Sequence, residues 1–254
     1  MISRGMKRRS LLVLALISSA EHAHAEPPRG ASPLRVEAPL DSSQARLEAS
    51  RSASQPRLEA SLGARVSKVG SAGYDPFASS DELLQASVGV GVTLFRQERL
   101  SLAGVGFWDF GSRSATARSA DASLTVHRLS VGPELRFRVL QPMSLFVHVL
   151  PAFAHAQASL ADGVAQSTRV AGHWSAGVDG ALGAAFDLYT APGASSIRPH
   201  LLVIAEAGYG YLGSTRLKLT PEAGQGAPER TAAVDLGSLS LAGPYLRISA
   251  AVSF

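Results

Sequence analysis

The residues of this 254-residue chain best suited to covalent chemistry are a histidine and a serine two positions apart, His173 and Ser175. Residues i and i+2 share one face of an extended strand, so the imidazole could act as a general base for the hydroxyl. The chain has no cysteine, which excludes a cysteine nucleophile, a cysteine-ligated zinc site and a disulfide scaffold. No histidine spacing, carboxylate cluster or glycine-rich phosphate loop predicts a metal site or a cofactor.

The first 25 residues predict a cleaved secretory signal peptide. Basic residues between Arg4 and Arg9 precede a short apolar stretch at 11–17, and Ala23-His24-Ala25 has the A-x-A form of a cleavage site. The apolar stretch is too short to cross a bilayer as a helix. The segment holds four basic residues and one acidic residue, so its removal lowers the formal net charge from +4 to +1. The sequence therefore gives no support to nucleic-acid binding.

Residues 26–56 are rich in Pro, Ser and Ala and carry no aromatic residue, which predicts a flexible periplasmic linker. An eleven-residue repeat of the form Arg-Val/Leu-Glu-Ala begins at Arg35, Arg46 and Arg57. Pro39 and Pro56 interrupt it, which disfavours a continuous helix. The rest of the chain, 57–254, is predicted to be one folded domain.

Within 57–254, apolar and polar residues alternate with a period of two, as in strands with one apolar and one polar face. The phase of the alternation shifts at His127-Arg128, which predicts a β-bulge. Pro133 and Pro151 fall inside predicted strands, where a shared bulge would hold both unless the strand limits differ. The eight predicted strands are 58–66, 84–94, 100–110, 123–139, 143–156, 173–188, 199–211 and 242–254.

The connections between these strands alternate in length, which bears on the fold. They are short after even-numbered strands and long after odd-numbered ones, where the loops are 67–83, 111–122, 157–172 and 212–241. Outer-membrane barrels have this pattern, with tight periplasmic turns and extended outer loops. The sequence thus predicts an all-β fold, an eight-stranded antiparallel up-and-down transmembrane β-barrel.

Aromatic residues on the apolar face favour a membrane barrel over a soluble one. They lie at both ends of the predicted strands, as in the two interfacial girdles of a membrane barrel. A soluble, secreted, ligand-binding β-barrel, the alternative, would bury its apolar face and its large rings in the middle. The predicted girdles comprise Trp108, Phe110, Trp174, Tyr209 and Tyr211 next to the long loops, and Phe137, Phe186 and Phe254 at the opposite end.

The last predicted strand has apolar residues at alternate positions from Leu246 and ends on Phe254. In this it resembles the small eight-stranded outer-membrane β-barrel families of the OmpA-transmembrane-domain and OmpX kind. The resemblance implies a barrel over 57–254 in the outer membrane of a Gram-negative cell, in contact with outer-membrane lipids. It also implies that the barrel-assembly machinery reads the strand ending in Phe254 as an insertion signal.

An eight-stranded barrel has its interior filled by side chains, so the charged residues of the polar face should pack against one another. Glu206 and Arg247 should meet at similar depth, and Asp179 could join them. Glu134 and Arg136 lie on the same face. These residues predict an interior salt-bridge network that stabilises a closed barrel. The alternative hypothesis is a gate whose ion pairs rearrange to open a narrow conduit.

The expected function is therefore non-enzymatic, structural or surface-interacting, with long loops that could contact an unknown partner. The hydrolase alternative rests on His173 and Ser175, whose H-x-S spacing is similar to that of lipid A deacylases. That resemblance implies a lipid A-modifying outer-membrane enzyme, with Asp187 or Glu206 as the acid partner further along the chain. In the family the pair faces the lipid, whereas here it lies on the polar, inward face.

Overall fold

The computed structural model describes residues 57–117, 120–162, 167–190, 199–221 and 233–254. The predicted signal peptide and linker, residues 1–56, lie outside the described residues. Among the described residues, no helix is long and apolar enough to cross a membrane. A short 3-10 turn occupies Asp75–Phe77. The strands are β1 Leu58–Lys68, β2 Glu82–Gln97, β3 Leu100–Ala117, β4 Ala120–Leu140, β5 Met143–Asp162, β6 Ser167–Thr190, β7 His200–Leu212, β8 Thr215–Pro221, β9 Val234–Leu239 and β10 Gly243–Ser253.

Eight of these strands close into a ring. The strands β1 to β7 pair antiparallel in chain order, and β10 pairs with both β7 and β1. Closure satisfies the backbone hydrogen bonds of every strand in the ring and leaves no open edge. The prediction of an eight-stranded antiparallel up-and-down barrel is confirmed.

The two ends of the barrel differ in their connections. At one end lie the tight β2–β3 and β4–β5 turns, the start of β1 and the end of β10; we call it the short-turn end. At the opposite end, the long-loop end, β8 and β9 form a hairpin between β7 and β10, and β8 also pairs with β6.

The two faces of the ring have opposite polarity over most of its height. On β10, Leu246 and Ile248 face outward and are more than 60% exposed, whereas Arg247 and Ser249, which alternate with them, are buried inside. On the other ring strands the outward residues are likewise mostly apolar, whereas the inward residues include the buried charged side chains together with small and apolar ones. This is the polarity of a transmembrane barrel, the reverse of a soluble one.

Two of the predicted long loops are wrong in extent, because strands continue through them. The β3–β4 hairpin runs on to Ala117 and Ala120, and the β5–β6 hairpin to Asp162 and Ser167. Their extensions alternate small and polar residues and give no strong strand signal in the sequence. Cross-strand backbone hydrogen bonds hold them in the extended form nonetheless. The predicted loop 212–241 also contains a hairpin, formed by β8 and β9.

The predicted bulge at His127-Arg128 is also wrong. The register of β4 on β3 and on β5 continues without a shift through these residues. Leu124 and Val126 face inward on the same side as Arg128, so the interior itself changes from polar to apolar. Nor is there a shared bulge at Pro133 and Pro151: the β4–β5 ladder is interrupted there, but its register is the same on both sides of the gap.

Candidate functional site

A run of alternating arginines and carboxylates crosses the middle of the barrel. Asp109 on β3 lies at its centre, because its Oδ2 accepts hydrogen bonds from Arg65 Nη1 at 3.0 Å and Arg247 Nη2 at 2.8 Å. Arg247 Nη1 also donates to Glu206 Oε1 at 2.6 Å. The register of β10 on β7 places Arg247 and Glu206 directly opposite each other. One carboxylate thus joins β1, β3 and β10.

Asp179 on β6 continues the run on the other side of Arg65. Its Oδ2 accepts hydrogen bonds from Arg65 Nη1 at 3.2 Å and Arg128 Nε at 2.9 Å, and its Oδ1 accepts one from Arg128 Nη2. Asp179 is therefore linked to Glu206 and Arg247 only indirectly. We call the whole set the ionic chain: Arg128, Asp179, Arg65, Asp109, Arg247 and Glu206.

The ionic chain is buried and electrically balanced. Each of its members is at most 4% exposed, and its three arginines match its three carboxylates. A buried charge costs several kcal/mol unless it is paired and hydrogen-bonded, so the balance is a condition for burial. Aromatic rings support two of the cations: the Arg65 guanidinium lies 3.7 Å from the Tyr245 ring centroid, and that of Arg247 lies 4.1 Å from the Phe107 centroid.

A second ionic cluster lies nearer the short-turn end. Arg136 donates to Glu59 through both terminal nitrogens, at 2.6 and 2.9 Å, and to Glu134 through Nε. His148 Nδ1 lies 3.1 Å from the second oxygen of Glu134, and its ring stacks near Phe146. Within the described ranges, no hydrogen bond connects this cluster to the ionic chain.

Towards the long-loop end the interior becomes apolar. Inward side chains of β4 and β5 are covered there by the β1–β2 connection and by the β8–β9 hairpin. We call the resulting buried cluster the apolar plug: Val69, Tyr74, Phe77, Leu83, Ala122, Leu124, Val126, Ala152, Ala154, Ala156, Ala158, Leu212, Leu217, Leu219, Leu239 and Leu241.

Hydrogen bonds fasten the two covering segments to each other. Gly73 N donates to the Ser238 carbonyl at 3.2 Å, and the Ser71 hydroxyl donates to the same oxygen at 2.8 Å. The Tyr74 hydroxyl donates to the Glu82 carbonyl at 2.9 Å. Burial raises the pKa of this hydroxyl above its ordinary value, so it stays protonated as a donor.

His173 and Ser175 do not form part of a triad within the described residues. They line a cavity of about 10 Å³ beneath β9, and no carboxylate lines it with them. A volume of this size holds about one water molecule. Glu206 belongs to the ionic chain, and Asp187 lies at the short-turn end of β6, where its Oδ1 is 3.9 Å from His200 Nδ1.

Sequence reasoning missed Asp109 and Glu59, each of which holds an arginine in place. The alternation itself carried the signal for Asp109: it is the polar residue between the outward Trp108 and Phe110, so it had to face the interior. Glu59 occupies the equivalent place at the start of β1, between Leu58 and the outward Ala60. Which cation each carboxylate meets depends on the stagger of the ring, which alternation does not report.

The residues of the predicted girdles all lie on the outer surface, from 39% exposure at Phe110 to 72% at Trp174. Trp174 and Phe186 are separated by twelve residues of β6, or about 40 Å along a strand. A strand tilt of about 40° reduces this to about 30 Å along the barrel axis, the thickness of the hydrocarbon core.

No protein-family model matches the sequence, and no curated protein matches it either. Among solved structures, the attachment invasion locus protein Ail of Yersinia pestis, in complex with the heparin analogue sucrose octasulfate, is 12% identical. That match covers 79% of this chain and 99% of Ail, with a TM-score of 0.47. A major outer membrane protein from Thermus thermophilus is 11% identical, with coverages of 78% and 99% and a TM-score of 0.42.

Neisserial surface protein A (NspA) is 14% identical, with coverages of 78% and 94% and a TM-score of 0.34. These TM-scores lie below 0.5, and the architecture rests on the strand pairing of this chain itself. The closed ring of eight antiparallel strands, apolar outside and ionic inside, gives the chain the architecture of the small eight-stranded outer-membrane β-barrels.

Proposed function

We propose that this protein is a non-enzymatic integral outer-membrane β-barrel with a structural or surface-interaction role and no open pore. The observation that carries the proposal is the polarity of the closed ring. The large side chains exposed on its outside are hydrophobic, while paired charges occupy its inside. A bilayer is the solvent that suits such a surface.

The filling of the lumen supports a role without conduction. The second ionic cluster, the ionic chain and the apolar plug follow one another from the short-turn end to the long-loop end. An ion passing through would have to break buried salt bridges and then cross an apolar segment, and both steps are costly.

The exposed apolar surface also argues against the soluble, secreted barrel. Among the described residues, 33 large hydrophobic side chains are exposed. Soluble monomers rarely expose contiguous apolar patches above a few hundred Å². In water, such a surface would drive aggregation.

Contacts with partners follow from the two ends of the proposed membrane protein. Outer-membrane lipids would cover the apolar band. The barrel-assembly machinery would recognise β10 and the terminal Phe254, and the long-loop end would meet any partner outside the cell. The extended β3–β4 and β5–β6 hairpins lie at this end and would offer a surface for such a contact.

Cell fractionation combined with gel electrophoresis tests the proposed location. We expect the protein in the outer-membrane fraction, released only by detergent, with a mobility that changes on boiling because the closed barrel resists SDS. Recovery in the soluble periplasm without detergent would overturn the proposal.

Planar-bilayer recording tests the closed lumen and the alternative of a gate. We expect no sustained conductance from the wild-type protein or from Glu206→Ala, since the apolar plug remains in both. A stable open current in the wild type would contradict the proposal, and a current that appears only in the variant would favour the gate.

The hydrolase alternative is tested by the mass of lipid A from cells that express the protein. We expect the same lipid A mass with the wild type and with Ser175→Ala. A mass shift that disappears in the variant would establish the enzymatic role instead.

A further inference from the structure

An open cavity of about 430 Å³ occupies the short-turn end of the barrel. Residues at the ends of β1, β2, β4, β6 and β7 and in the tight β2–β3 and β4–β5 turns line it. Five arginines line it, against three carboxylates. The cavity therefore carries an excess of positive charge, unlike the balanced ionic chain deeper in the barrel.

The five arginines differ in whether a carboxylate lies close enough to form a salt bridge with them. Arg136 is held by carboxylates in the second ionic cluster. Within the part of the chain that the structure describes, the other four make no ion pair. We call these four the vestibule arginines: Arg57, Arg96, Arg99 and Arg138.

A β-bulge and main-chain hydrogen bonds bring the vestibule arginines together. In β2, odd-numbered residues face the interior as far as Thr93, and a bulge between Thr93 and Phe95 then turns Arg96 inward. Re-aiming a side chain is a common effect of such a bulge. Without it, Arg96 would point into the proposed lipid.

Main-chain hydrogen bonds fix the others. Thr93 N donates to the Arg57 carbonyl at 2.9 Å, and Arg138 N donates to the Arg99 carbonyl at 2.7 Å. Arg57 and Arg138 both repel Arg96 electrostatically, and Asp187 is the carboxylate that attracts it. The like charges are thus held close together by the fold without a matching set of acids.

Such a cluster suits an anion with several oxygens. A guanidinium offers paired N–H groups in a fixed plane that match two oxygens of one phosphate. A concave site lined by one sign of charge focuses the field and raises the local concentration of counter-ions. The volume falls within the range of small-molecule sites.

We propose that this cavity, the arginine vestibule, is a binding site for a multivalent anion of the phosphate class. The proposal goes beyond the structural role, because it assigns a ligand to the end of the barrel opposite the long loops. The phosphate groups could belong to a soluble phosphorylated compound or to a phospholipid headgroup at the rim.

Calorimetric titration with inorganic pyrophosphate tests the site on the full-length protein refolded in a maltoside detergent, which carries no phosphate. We expect saturable binding by the wild type and affinity at least about tenfold weaker in Arg96→Gln/Arg138→Gln, since the variant loses two charge-assisted contacts to the anion. The single variants should each show part of the loss.

The matched control removes the same two charges at the opposite end, in Arg216→Gln/Lys218→Gln on the exposed face of β8. Its affinity should stay within about twofold of the wild type, because charges this distant are screened by salt. An equal loss in the control, or no binding by the wild type, would overturn the proposal. The boiling-dependent gel shift checks that every variant is folded.

A repeat in phosphatidylcholine bilayers with and without phosphatidylglycerol separates the two sources of phosphate. Pyrophosphate binding that is unaffected by the anionic lipid supports a soluble ligand. Binding that the lipid displaces in the wild type, but not in the double variant of the vestibule, supports a headgroup.

Discussion

The lumen of this barrel is filled by salt bridges at one level and by aliphatic side chains at the next. The ionic chain buries six charged residues in balanced pairs, and the apolar plug buries leucine, valine, alanine and two aromatic side chains. Both fillings exclude solvent. The polarity of the outward residues of the same strands differs between the two levels.

The outer face of β4 shows that difference. Beside the ionic chain its outward residues are Leu129 and Val131, whereas beside the plug they include Ser123 and Thr125. The inward residues change in the opposite sense, from Arg128 to aliphatic side chains. The strand is therefore built for lipid outside at one level and for water outside at the other.

The apolar and polar faces of β4 exchange sides at His127-Arg128, where the alternation in the sequence changes phase; we call this exchange the inversion. We infer that it marks the height at which β4 leaves the proposed membrane. One continuous strand serves as a membrane strand below this height and as a strand of a soluble-type core above it.

The largest effect should come from Asp109→Ala, because it leaves Arg65 and Arg247 without their shared carboxylate. Breaking a buried ion pair costs about 3 to 5 kcal/mol. We expect the free energy of unfolding, measured with urea in lipid vesicles, to fall by this amount, or the barrel not to close at all. Asp235→Ala, which removes a carboxylate from an exposed ion pair, should cost less than about 1 kcal/mol. Equal costs would contradict the structural role of the ionic chain.

The proposed membrane boundary is tested by two arginine substitutions on the outer face of β4. Val131→Arg places a charge in lipid and should destabilise the barrel by about 2 to 4 kcal/mol. Thr125→Arg, outward on the same strand but beyond the boundary, should change the stability little. Urea unfolding in vesicles measures both, and similar costs for the two would refute the boundary.

The apolar plug is tested by Leu124→Ala. A cavity there should cost about 2 kcal/mol, the low end for a buried leucine, because the plug can partly collapse at the open end. We expect faster proteolysis of the β8–β9 hairpin while the boiling-dependent gel shift of the ring persists. Leu129→Ala, outward on the same strand, serves as the control and should leave the proteolysis rate unchanged.

The smallest effect concerns Tyr74, which ties the β1–β2 connection to β2. Its pKa is raised by burial, so its stabilising effect is complete below the unfolded value of about 10 and is lost as the pH rises above it. We expect the plug to unfold more readily at about pH 11 than at about pH 9. Tyr74→Phe should reduce this difference and cost about 1 kcal/mol at neutral pH. An unchanged pH dependence in the variant would exclude Tyr74 as its source.

Alternation predicted the strands of the ring and their outward residues, because a lipid-facing surface constrains every second residue. It did not predict the strand extensions at 111–117, 120–122, 157–162 and 167–172, where neither face carries large apolar residues in contact with lipid. Backbone pairing with a neighbour stabilises those segments, and single-sequence patterns do not record the neighbour.

The presence of a salt-bridge network in the interior could be predicted, but most of its residue pairs could not. Glu206 and Arg247 could be placed at similar depth by counting from strand ends on adjacent strands. Asp179 and Asp109 could not be paired in this way, because they reach their arginines across the lumen. The apolar plug was hidden for a different reason: its inward leucine and valine residues look like lipid-facing ones until the inversion is recognised.

The pairing of β10 with β1 has a consequence for how the protein is made. Nine residue pairs join these strands, from Glu59 with Ser253 to Ser67 with Tyr245, so the seam connects opposite ends of the folded sequence. Contacts this distant form slowly. Until β10 arrives, Asp109 and Glu206 also lack Arg247, and two carboxylates face the lumen without that cation. Closing the seam therefore also completes the pairing of these two carboxylates, which disfavours a half-built barrel.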